Sequence, residues 1–99
     1  MDENADFGNE LFLELFKNGN CVIEKIVSSG QITEESKWLE EEDDEWVMLL
    51  QGKSELLFEN GRREIMKEGD YLLIPSKTRH RVIYTSSNPK CIWLAIHIK

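Results

Sequence analysis

Turn-forming residues constrain this chain more than any other feature. From Cys21 to Ile98, short apolar stretches are broken every ~8–12 residues by Gly, Pro, Asn, Asp or Ser. Cys21 to Val27 is rich in β-branched residues and ends at Ser28-Ser29-Gly30. Gln31 to Leu39 is polar and reads as a loop running into an edge strand. Glu45 to Gln51 is a strand by residue type, followed by a turn at Gly52-Lys53. Ser54 to Glu59 and Arg62 to Met66 flank Asn60-Gly61, the pair best suited to a type I′ hairpin, which would set Glu59 opposite Arg62. Tyr71 to Ile74 is stopped by Pro75, and Arg79 to Thr85 and Cys91 to Ile98 complete the series. Seven or eight such strands predict an all-β sandwich or barrel. Ahead of them, Asp2 to Glu10 reads as a mobile lead-in. Asn9 to Lys17 reads as a short helix or turn, because Leu11, Leu15 and Phe12, Phe16 have helical spacing. The expected division is a lead-in over residues 1–20 and one barrel over residues 21–99.

Charge narrows the partners. The 99 residues carry 12 Lys and Arg against 19 Asp and Glu, a formal charge of −7. Nucleic-acid affinity rests on cations that displace phosphate counterions, so none is expected here. No apolar run reaches the ~20 residues that span a bilayer, and the acidic start does not resemble a signal peptide. A cytoplasmic location is the expectation. Cys21 and Cys91 lie in apolar stretches and read as small buried hydrophobes, without the spacing of a zinc knuckle.

Two residues stand out chemically. Glu40 to Glu45 is a run of six acids, and its last member begins a strand. Glu45 alternates with Val47 and Leu49, so if those face the interior it faces the interior mouth. A carboxylate there must be paired, protonated or bound to a cation. His80 likewise begins a strand, with Val82 and Tyr84 on its face. Arg79 and Arg81 read as strand-end cations with charge partners nearby. In the last strand, Ile92, Leu94, Ile96 and Ile98 form an aliphatic row that is the natural core face, with Cys91, Trp93, Ala95 and His97 opposite, and the pattern leaves open which of the two rows is interior. Trp38 and Trp46 read as packing residues. Trp46, Met48 and Leu50 give their strand a second apolar face, which predicts a homodimer.

Glu45, six residues, then Gly52 resembles the end of the first sequence motif of cupins, small double-stranded β-helix barrels of jelly-roll type. Gly69, five residues, Pro75, then His80 resembles their second motif. The resemblance spans Cys21 to Ile98 and implies a single-domain cupin barrel preceded by a short irregular or helical segment. Metal-binding cupins hold an ion with His-x-His, a glutamate and the second-motif histidine. Glu45 and His80 match the last two. The leading pair falls on Trp38 and Glu40, or with a shorter gap on Leu39 and Glu41. The family's glycine between the proline and the histidine falls on Lys77. The resemblance thus implies a set of Glu40, Glu45 and His80, suited to Mn, Fe or Zn, or else a metal-free Glu45–His80 pair.

Three functions follow as expectations. One is an uncharacterised small-molecule-binding cupin with a pocket formed by Trp38, Glu40, Glu45, Val47, His80 and Val82. The second is a metal-dependent oxygenase or isomerase using Glu40, Glu45 and His80. The third is a non-catalytic dimeric interaction domain.

Overall fold

Side-chain alternation decides how these strands stack. The computed structural model describes residues 10–99. The strands are β1 (Leu11–Lys17), β2 (Cys21–Ser28), β3 (Asp44–Gln51), β4 (Ser54–Phe58), β5 (Arg63–Met66), β6 (Tyr71–Ile74), β7 (His80–Thr85) and β8 (Cys91–Ile98). They form a five-stranded sheet in the order β1-β2-β8-β3-β6 and a three-stranded sheet in the order β5-β4-β7. Every strand pairing is antiparallel. The result is an all-β, double-stranded β-helix barrel of the jelly-roll kind. No helix among the described residues is long and apolar enough to cross a membrane.

The core lies between the sheets. Val47 and Leu49 of β3, Trp93 and Ala95 of β8 and Ile74 of β6 meet Leu56 and Phe58 of β4 and Met66 of β5, all buried. Each large side chain so buried stabilises the fold by roughly 1.5–3 kcal/mol relative to exposure. The chain between β2 and β3 completes the smaller sheet. Thr33 N–H donates to the Val82 carbonyl (2.9 Å), and Leu39 and His80 exchange backbone bonds of 2.7 and 3.1 Å. This segment covers the edge of β7, which would otherwise present unpaired backbone groups.

Three local expectations are corrected. The Leu11–Lys17 segment is strand, not helix or turn, because pairing with β2 from Leu11↔Val27 to Lys17↔Val22 outweighs its helical spacing. Asp2 to Asn9 of the expected lead-in lie outside the described residues. In β8 the buried row is Cys91, Trp93 and Ala95, continuing to His97, while the aliphatic row faces outward. Both faces of the five-stranded sheet are apolar, so hydrophobicity alone does not mark the inner one. The β4–β5 hairpin also differs from type I′. Phe58 N–H donates to the Arg62 carbonyl at 2.8 Å, and Gly61 N–H donates to the Phe58 carbonyl at 2.9 Å. Glu59, Asn60 and Gly61 form a three-residue loop in which Gly61, at φ 94°, takes the left-handed position. Glu59 therefore reaches Arg79 rather than Arg62, and Arg62 lies 4.3 Å over the Phe58 ring.

The turn after β3 fixes the register of the strand that carries Glu45. Gly52 has φ 93°, and a Cβ there would lie 2.7 Å from Ser86 Oγ, 2.9 Å from the Lys90 carbonyl and 3.0 Å from Cys91 Cα. Two of these neighbours are backbone of the start of β8 and cannot swing aside. Gly52→Ala is therefore expected to lower unfolding stability by ~2 kcal/mol or more in denaturant titrations. Gly61→Ala, where the same Cβ meets open space, should cost about half as much, from conformation alone.

Candidate functional site

The two sheets do not close completely. They leave a cavity of about 420 Å³. Its apolar walls come from Val47, Leu56, Ile74, Val82 and Trp93, and its polar groups include Glu24, Glu41, Glu45, His80 and His97.

Glu45 enters from the five-stranded sheet. Its neighbours across the strands are His97 of β8 and Ile74 of β6. Val47 and Leu49 point into the core, so the pleat turns Glu45 inward with them. Burial of the carboxylate raises its pKa above the ordinary 4.5; positive charge on His97 and His80 opposes the rise, and Glu41 and Glu24 add to it. His97 Nε2 lies 3.3 Å from Glu24 Oε1. Glu24, His97 and Glu45 therefore form a polar row across β2, β8 and β3.

His80 enters from the three-stranded sheet and is 4% exposed. Its backbone is held by Phe58 of β4 on one side and Leu39 on the other. Nδ1–H donates to the Thr78 carbonyl at 2.9 Å. That bond fixes the tautomer and leaves Nε2 with no hydrogen-bond partner among the described residues. The ring also packs against Phe58, with centroids 6.0 Å apart.

The expected pocket is only partly the cavity that forms. Glu45, Val47, His80 and Val82 line it; Trp38 and Glu40 do not. The cause is the pleat of the segment bound to β7. Leu39 and Glu41 face the cavity, so the residues alternating with them turn away. Glu40 is bound outside by Arg79 Nε at 3.1 Å, and Trp38 lies beneath the Arg81 guanidinium at 5.4 Å. The acidic run thus divides by position. Glu42 pairs with Lys77, and Asp44 Oδ1 accepts the Ser76 N–H, while Glu41 and Glu45 reach the cavity.

Glu24 and His97 are the residues that sequence reasoning missed. The available signal in β8 was Cys91 and Ala95, small residues that are among the most often buried. Nothing local to Glu24 marks it, since its role depends on the pairing of β2 with β8.

The metal implied by the resemblance finds no fitting donors. Among the described residues, no three His, Cys, Asp or Glu side chains are gathered so as to hold one ion. Of the three expected ligands, Glu40 is engaged by Arg79 outside the cavity.

Comparison with known proteins supplies the family context. The family model described as Cupin domain matches residues 26–97. A crystal structure from Ralstonia eutropha JMP134, of a protein provisionally named a mannose-6-phosphate isomerase, superposes with a TM-score of 0.89 at 33% identity, covering 93% of this chain and 86% of that one. A cupin superfamily protein from Desulfitobacterium hafniense DCB-2 superposes with a TM-score of 0.80 at 17% identity, covering 94% of this chain and 80% of that one. The polyketide cyclase RemF from Streptomyces resistomycificus gives a TM-score of 0.76 at 18% identity, covering 92% of this chain and 66% of that one. The last two likenesses establish the fold alone. No curated protein matches the chain significantly.

The buried carboxylate sets a pH signature. Its raised pKa means that the folded state holds the Glu45 proton more tightly than the unfolded state. Stability from this group is complete below the ordinary value of 4.5 and is lost as pH rises through the raised one. Glu45→Gln should therefore stabilise the protein at neutral pH, with the gain shrinking toward pH ~4 in paired denaturant titrations. Glu40→Gln removes only a surface ion pair and should change stability by less than ~1 kcal/mol at either pH.

Proposed function

The chain belongs to the Cupin domain family, and from that premise we propose that it binds a small organic molecule in the cavity between its two sheets. The observation that carries this reading is that Glu45 and His80, brought by different sheets, line one space of about 420 Å³. That volume lies within the usual range for ligand sites, as does the combination of apolar walls with a few converging polar groups. A buried carboxylate costs stability, a pattern usual where function requires it.

Proton transfer on the bound molecule is a second reading, favoured by the raised pKa of Glu45. A carboxylate shifted toward neutral pH is a stronger general base. Ionised Glu45 would take a proton from the ligand, and protonated His80 would return one from Nε2. Solvent exchange would then restore both groups. The donor set does not fit a metal, so no step is assigned to one.

The homodimer belongs to the same proposal. Trp46 and Met48 of β3 and Leu94 and Ile96 of β8 alternate with the buried row and face away from the cavity. Tyr71 stacks on Trp46 and is 66% exposed, and Leu73 beside it is 49% exposed. A second copy would cover this face through a two-fold contact.

Two measurements test these statements. A metabolite screen by thermal denaturation should find a compound that raises the melting temperature; at a hundred times its Kd the stabilisation is about 2.7 kcal/mol. His80→Ala should remove that shift while keeping the β-sheet circular dichroism. A screen in which no neutral, cationic or anionic compound moves the transition would contradict the binding reading. Sedimentation should give a dimer that Leu94→Glu converts to monomer; a monomeric wild type would contradict the second.

A further inference from the structure

We propose that this cavity selects small organic cations, primary or quaternary amines, and discriminates against anionic ligands such as sugar phosphates. The inference rests on the binding reading above and names the ligand class for the same site.

The charge of the lining is the first support. Glu10, Glu24, Glu41 and Glu45 contribute carboxylates, and no Lys or Arg is among the described residues that line the cavity. Two imidazoles, even both protonated, leave this set negative. The cations of the surrounding strands are turned elsewhere. Arg79 binds Glu40 and Glu59, Arg81 donates to the Glu35 carbonyl on the outer side, and Lys77 pairs with Glu42. A phosphate dianion entering here would find four carboxylates and no guanidinium or ammonium to bind it.

The second support is the buried histidine. His80 is 4% exposed and presents a ring nitrogen without a partner to this same space. With the Nδ1 proton donated to the Thr78 carbonyl, Nε2 accepts a hydrogen bond whenever the ring is neutral. An ammonium N–H or a ligand hydroxyl supplies the donor it lacks. The third support is the wall. Trp93, Ile26 and Phe12 offer apolar and aromatic surface to the alkyl groups of an amine, and a ring face attracts a cation directly. Glu45 then has a reason to be buried, since a bound cation would offset its desolvation.

The test is an NMR titration of the isotope-labelled chain with three probes: choline, its uncharged isostere 3,3-dimethylbutan-1-ol, and mannose 6-phosphate. Choline is expected to shift the resonances of Glu45, His80 and Trp93 saturably, at least about tenfold more tightly than the alcohol. Mannose 6-phosphate should give no saturable shift at these residues. Glu45→Gln and, separately, Glu41→Gln should each erode the preference for choline while leaving the remaining spectrum in place. If the alcohol or the phosphate binds as tightly as choline at the same resonances, the charge selection is overturned and the binding reading stands. If none of the three moves the cavity resonances up to ~10 mM, the selection is overturned and the binding reading loses support with it.

Discussion

Glu45 cannot turn away from the cavity. It shares a pleat with Val47 and Leu49, and β3 is hydrogen-bonded on both sides, to β8 and to β6. Turning the carboxylate to solvent would take a one-residue slip, which would expose both apolar neighbours and undo two strand pairings. The fold therefore holds an acid inside because two hydrocarbon side chains beside it must be inside. Gly52 closes this constraint at the far end of the strand, where the start of β8 leaves no room for a side chain.

His80 is held by a different but equally local arrangement. The segment between β2 and β3 lies along β7 and locks the His80 backbone to Leu39, while Thr78 takes the Nδ1 proton. The same segment sorts the neighbouring acids, sending Glu41 inward and Glu40 outward to Arg79. Burial, two imidazoles and two further carboxylates then act on Glu45 together, and burial is the largest of these influences. The site is thus an electrostatic consequence of how two sheets meet, with each of its groups placed by backbone pairing.

Much of this was legible in the residues. Turn spacing gave the β architecture, and the Glu45–Gly52 and Gly69–Pro75–His80 spacings pointed to the cupin barrel now supported by the family match. Strand alternation placed Glu45, Val47, His80 and Val82, all of which line the cavity. What was not legible depended on pairing between distant strands. Hydropathy could not show which face of β8 is inward, because its outer row is the more aliphatic of the two. The register of the 31–43 segment against β7 decides between Glu40 and Glu41, and no local pattern encodes it. Lys77 shows the same limit at a turn: it adopts φ 59°, a conformation that favours glycine, where the family pattern has glycine.

A buried carboxylate in electrostatic contact with imidazoles across one cavity is the centre of this site. Side-chain carboxyl NMR of Glu45 as a function of pH measures this most directly. The midpoint should lie above 4.5 in the native chain and rise further in His97→Ala, with a smaller rise in His80→Ala. A midpoint at the ordinary value, unmoved by either substitution, would contradict it.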